Sequence, residues 1–243
     1  MTKLGIALAV LLLNTVIRAE EAANMLTEQT FESEVKLKVG YPYLLALPEG
    51  YQKEGDKKWP LLVFLHGAGE RGNNLEKLKK HGPPKLIAAG KKFEAIVACP
   101  QVLPLNVWNP YGVKALVDEL KTKYRVDESR IYLTGISMGG FGTWDTVMEF
   151  PDLFAAAVPI CGGAGVKFVM AERIKRLPIW IFHGDADPAV PVDYSKSIQK
   201  ALEKVSGHSR LTIYPGVAHD SWTQTYDNPE VWQWLFQQQK PVK

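Results

Sequence analysis

From Trp59 onward the chain is punctuated by short, unbroken apolar runs. Leu61 to Leu65, Ala95 to Cys99, Ile131 to Leu133, Phe154 to Ile160 and Pro178 to Phe182 each end at or near a glycine or proline. A strand with one wet face alternates apolar and polar residues, whereas a run that is apolar at every position is covered on both faces. Between these runs, Val113 to Tyr124, Met138 to Phe150 and Tyr194 to Val205 carry helical spacing. A last helix is expected to start at Pro229 with Asn228 as its cap. Phe31 to Val39 alternates weakly and Tyr43 to Leu47 is a short apolar stretch, so both read as early strands, and Leu211 to Tyr214 reads as the last one. Strands alternating with helices predict an α/β fold with a mostly parallel sheet and helices on both faces.

The first residues follow a different pattern. One lysine at position 3 precedes an almost wholly apolar stretch, Leu4 to Leu13, and a small residue at Ala19. The stretch is shorter than the roughly 17–25 residues of a membrane-spanning helix and has the layout of a secretory signal peptide. Residues 1–19 are therefore expected to be removed (Ala22 and Ala23 offer alternative cleavage points), leaving one domain over 24–243. The expected address is secreted or periplasmic, without stable membrane insertion after cleavage. An uncleaved anchor or a buried N-terminal helix is the alternative. Of the 243 residues, 46% are hydrophobic and 23% charged, which excludes a disordered or disulfide-scaffold class. A net charge of +3 gives no reason to expect nucleic acid as a partner. Two cysteines with no paired Cys/His spacing give none to expect a structural metal.

In such sheets ligands gather at the carboxyl ends of the strands. Four of those ends are polar or glycine-rich: His66 to Gly69, Gly135 to Gly139, His183 to Asp187 and Gly216 to His219. Gly135-Ile136-Ser137-Met138-Gly139 has the spacing G-x-S-x-G between a strand and a helix, a turn that exposes its serine as a nucleophile. Serine needs a base at neutral pH. His66 and His183 are each followed directly by glycine, which suits a packed loop anchor; His208 precedes a strand and belongs to the opposite edge. His81 lies in a basic segment with no reason to face the site. His219, in a loop after the last strand, is the candidate base. Its acidic partner is expected to be Asp187, four residues past His183, with Asp185 as the alternative. The oxyanion of an acyl-transfer step needs aimed donors, for which the N–H of Met138 and one from the His66–Gly69 turn, that of Ala68, are the candidates.

The order Ser137…Asp187…His219 resembles that of the α/β-hydrolases. The segments Leu65 to Gly72, Arg130 to Gly140, His183 to Pro191 and His219 to Trp222 are more finely similar to the esterase branch that holds dienelactone-hydrolase-like, polyhydroxybutyrate-depolymerase-like and phospholipase/carboxylesterase-like proteins. The resemblance implies an eight-stranded sheet in the order 1-2-4-3-5-6-7-8 with a minimal lid or none. It also implies a Ser137–His219–Asp187 triad with the Ala68 and Met138 amides as oxyanion hole, and no cofactor or metal. Dienelactone hydrolases proper use a cysteine nucleophile; this chain has serine there. The activity implied is hydrolysis of short-chain or polysaccharide-linked (acetyl or feruloyl) esters, small or polymer-bound. A serine peptidase or amidase on the same fold, or a catalytically silent binding module, is the alternative. Oligomeric state is not legible. Trp108, Trp222 and Arg71 are the candidate pocket residues; Glu70 and Arg71 either pair with each other or leave Arg71 for a substrate. In that strand order two strands separate Cys99 from Cys161. At ~4.8 Å per strand this is ~14 Å, beyond the 7 Å or so that a disulfide spans between Cα atoms, so two free, buried thiols are expected.

Overall fold

The computed structural model describes residues 28–53 and 55–240; the leader expected over residues 1–19 lies outside them. Among the described residues there are seven strands: β1 Tyr43–Ala46, β2 Trp59–Leu65, β3 Ile96–Pro100, β4 Val126–Ile136, β5 Ala156–Ile160, β6 Ile179–Gly184 and β7 Ser209–Tyr214. The helices are α1 Gly82–Ala88, α2 Pro110–Lys123, α3 Met138–Glu149, α4 Asp193–Lys204, α5 Trp222–Asp227 and α6 Pro229–Gln237. Short 3-10 segments occupy Ala68–Glu70, Leu75–Lys80 and Gly165–Ile174. The strand expected at Phe31–Val39 is not formed, so the count is seven rather than eight. Its alternation is too weak to define a buried face, and Phe31, Val35 and Leu37 are exposed. Residues 28–38 form neither helix nor strand.

The sheet runs β1-β3-β2-β4-β5-β6-β7, which is the expected order without its first strand. Only β1 is antiparallel, pairing Tyr43–Ala46 with Val97–Pro100; the other five pairings are parallel. The unbroken apolar runs divide by parity between two cores. Leu61, Val63 and Leu65 face a layer with Val113, Val117, Leu120, Trp144 and Val147. Leu62 and Phe64 face the opposite one with Tyr226, Trp232 and Leu235. All seven residues of β2 are buried, as a central parallel strand covered on both sides requires. Cys99 at the end of β3 and Cys161 just past β5 are buried and unbridged, with β2 and β4 between them.

After β2 the chain moves outward to β3, then returns to β4 on the other side of β2. The carboxyl ends of β2 and β4 thus flank the point where the winding reverses, where ligands gather in open sheets of this kind. This crevice receives the loops described next.

Candidate active site

Ser137 joins β4 to α3 at φ 52°, ψ −116°, a backbone that L-residues rarely adopt. Its neighbours in the motif show what holds it there. A Cβ on Gly139 would lie 1.9 Å from Leu65 O, and one on Gly135 would lie 2.3 Å from Gly139 O. The helix start is therefore pressed against the end of β2, and only glycine fits at either contact. The result is a hydroxyl lifted over the sheet edge at the first turn of a helix.

Across the crevice, His219 Nε2 lies 2.8 Å from Ser137 Oγ and His219 Nδ1 lies 2.6 Å from Asp187 Oδ2. The Asp187 side chain is fully shielded. Burial alone raises its carboxyl, but the His219 hydrogen bond and the N–H groups of Val190 and Ala189 outweigh burial and hold it below the usual carboxylate range. An ionised carboxylate only accepts, so Nδ1 of His219 carries the ring proton and Nε2 is left to accept from the serine hydroxyl. Asp185, the alternative acid, is engaged elsewhere: its Oδ1 accepts from Gly216 N at 2.6 Å.

His183 supports this arrangement from beneath. It is fully buried, with Nε2 2.9 Å from Val190 O and Nδ1 2.7 Å from Ser195 Oγ. A carbonyl only accepts, so Nε2 bears the proton and Nδ1 accepts from the serine. The same Nε2 lies 3.2 Å from Asp187 Oδ2. His66 is a second anchor, as its following glycine suggested. Val102 N donates to its Nε2 at 3.0 Å, so its Nδ1 donates to Gly67 O at 2.6 Å, and burial pulls its pKa down to about 4.

Ala68 opens the 3-10 segment Ala68–Glu70 and Met138 opens α3, positions whose N–H has no acceptor within its own helix. The two starts are adjacent: a Cβ on Gly67 would lie 3.7 Å from Ser137 Cβ. Arg71 resolves the ambiguity of the Glu70–Arg71 pair. Its Nε donates to Ala68 O at 3.0 Å and its Nη1 to Asn106 O at 3.4 Å, so it fastens the turn rather than pairing with Glu70. Glu70 is buried, and its carboxylate lies 3.8 Å from His81 Nε2. Gln101 Nε2 donates to Glu70 O and Asn74 O, both at 2.8 Å.

His81 is placed otherwise than expected. Its Nδ1 accepts from Trp222 Nε1 at 3.2 Å, and the Trp222 ring stands edge-on to both His81 and His219 at 5.3 Å. Burial lowers its pKa, with Glu70 opposing. The signal lay in Gly82-Pro83-Pro84: prolines at a helix start mark α1, which turns His81 back toward the crevice. Trp108 is both packed and pocket-forming. It is 4% exposed, donates from Nε1 to His66 O at 3.1 Å, and lines a cavity of ≈ 420 Å³ beside Ser137.

Among the described residues, one cluster has the composition of a metal site: Cys161, Asp187 and His219, whose ligand atoms lie within 4.8 Å of one another. Two of the three are already joined in the hydrogen-bond chain to Ser137, and burial pushes the Cys161 thiol up to about 12.

Comparison with known proteins bears on this geometry. Residues 95–231 match the model of the dienelactone hydrolase family. The chain is 30% identical over 135 residues to the bifunctional acetylxylan esterase/xylanase XynS20E of Neocallimastix patriciarum, covering 53% of this chain and 19% of that one. It is 45% identical over 52 residues to poly(3-hydroxyalkanoate) depolymerase C of Paucimonas lemoignei, covering 21% and 13%. The crystal structure of a thermostable esterase superposes with a TM-score of 0.71 at 38% identity, covering 82% of this chain and 59% of that chain. The chain thus spans under a quarter of the length of either curated relative.

Proposed function

This chain belongs to the dienelactone hydrolase family, and from that membership we propose that it is a carboxylic ester hydrolase with Ser137 as nucleophile. The observation that carries the reading is the hydrogen-bonded series Ser137 Oγ–His219 Nε2–His219 Nδ1–Asp187 at 2.8 and 2.6 Å, standing on a strained turn. His219 takes the hydroxyl proton as Ser137 Oγ bonds to the ester carbonyl carbon. Asp187 keeps the imidazole in the required tautomer and offsets its charge. The Ala68 and Met138 amides hold the negative oxygen of the tetrahedral intermediate. The C–O bond to the alcohol breaks as His219 returns its proton to the leaving oxygen, giving an acyl-serine. Water, deprotonated by His219, then adds to the acyl carbon, and Ser137 leaves with the proton.

An acetylxylan esterase and a polyhydroxyalkanoate depolymerase among the relatives support substrates that are short-chain or polymer-linked esters. The apolar leader of the sequence supports export and work outside the cytoplasm. Ser137→Ala tests the reading through hydrolysis of 4-nitrophenyl acetate. The expected loss in kcat is on the order of 10⁴-fold or more, with an unchanged circular dichroism spectrum. Turnover at the wild-type rate would end the assignment.

A further inference from the structure

Beside the triad stands a second carboxylate–imidazole pair that the proposed reaction does not use. Glu70 closes the 3-10 segment that presents Ala68, and its side chain is 6% exposed. A Cβ on Gly67 would lie 3.2 Å from Glu70 Oε2, so the carboxylate is packed against the oxyanion turn. Gln101 fixes the backbone here by donating to Glu70 O. On its other side Glu70 Oε1 lies 3.8 Å from His81 Nε2. This is beyond hydrogen-bond length, so the carboxylate acts on the ring through its charge.

The other nitrogen of His81 faces Trp222. An indole N–H donates and cannot accept, so Nδ1, 3.2 Å from Trp222 Nε1, is unprotonated. The ring proton therefore sits on Nε2, the side that Glu70 favours. The order carboxylate, imidazole, donor is that of Asp187, His219 and Ser137, but here the donor is an indole instead of a nucleophile. Trp222 in turn stands against the base: its ring is 5.3 Å from that of His219, at 88° to it. Trp222 opens a helix of six residues, too short to hold its own place, and the bond to His81 ties its first residue down.

That wall answers a need of the triad. Hydrogen bonds to Asp187 and Ser137 pin the His219 ring at Nδ1 and Nε2 but leave it free to turn about the line through them. Once Ser137 Oγ is bonded to an acyl carbon its hydroxyl is gone, and the Asp187 contact alone holds a ring that must still deprotonate water. We propose that His81 is a positioning residue for the catalytic base: it locks Trp222 at right angles to His219 and so keeps the imidazole in line through both halves of the reaction. The inference rests on His219 acting as base for Ser137.

The experiment measures kcat and KM for 4-nitrophenyl acetate in wild type, His81→Leu, His81→Asn, Trp222→Phe and the double variant His81→Leu/Trp222→Phe. Turnover is expressed per site titrated to completion with a fluorophosphonate, so unfolded protein does not enter it. Leucine removes the acceptor, whereas asparagine places Oδ1 where Nδ1 stood. A misplaced base predicts a loss of about 10- to 100-fold in kcat for His81→Leu, without a rise in KM. His81→Asn is expected to recover most of that loss. Trp222→Phe, which keeps a ring but loses the N–H, is expected to cost about as much as His81→Leu, with the double variant within about twofold of the slower single one. Wild-type kcat in His81→Leu, a loss confined to KM, an asparagine variant as slow as the leucine one, or costs that multiply in the double variant would overturn the inference. Near-complete loss of turnover in His219→Ala leaves the triad reading standing when any of these occurs.

Discussion

At the scale of single residues, the site is governed by which nitrogen of each histidine holds a proton. Asp187 accepts from His219, from two backbone amides and, at 3.2 Å, faces the protonated nitrogen of His183. These contacts share its charge among fixed donors and hold the carboxylate in its ionised form. His66 follows the opposite logic. It is buried between a donor and an acceptor that suit only the neutral ring, and its pKa of about 4 lies below the ordinary 6.5. In the unfolded chain the ring binds a proton near pH 6.5, whereas in the folded protein it resists until about pH 4. The unfolded state therefore carries more protons in that window, and stability falls as pH drops through it. The full effect is roughly 3 kcal/mol. Urea unfolding between pH 4 and 7 should show this loss, to which His81, also lowered, adds in the same direction. His66→Asn should flatten the slope; an equally steep slope in that variant would assign the loss to other groups.

At the scale of elements, the close approach of α3 to β2 decides whether Ser137 is presented at all. Gly139→Ala places a methyl 1.9 Å from Leu65 O, and backbone cannot yield as a side-chain tip can. We expect destabilisation of at least about 3 kcal/mol in chemical denaturation. Gly69→Ala, with nothing within 4 Å of its Cβ, should stay within about 0.5 kcal/mol. Similar stabilities for the two variants would contradict this packing. Elements of this kind were the most legible from sequence. Five unbroken apolar runs and a G-x-S-x-G turn leave little freedom, because burial on both faces and a positive φ at serine each admit few residue types. Asn228 likewise caps α6, accepting from Glu230 N at 2.9 Å. The short helices α1 and α5 were not legible. They have too few turns to establish a period and form where other elements hold them. Phe31–Val39 failed for the converse reason: alternation without a face to bury does not make a strand. The turn around Glu70, His81 and Trp222 joins residues up to 141 positions apart, and no local pattern encodes such a contact.

At the scale of the whole molecule, the topology explains why distant residues meet. The reversal of winding between β2 and β4 opens a crevice above the sheet. The ends of β2, β4, β6 and β7 deliver Ala68, Ser137, Asp187 and His219 to it in turn. The central claim is that Ser137 is made reactive by His219. A fluorophosphonate probe, followed by peptide mapping in the mass spectrometer, tests it directly. The account predicts one adduct, on Ser137, forming slower by on the order of 10²–10⁴-fold in His219→Ala. An adduct on another residue, or undiminished labelling of Ser137 without the imidazole, would contradict it.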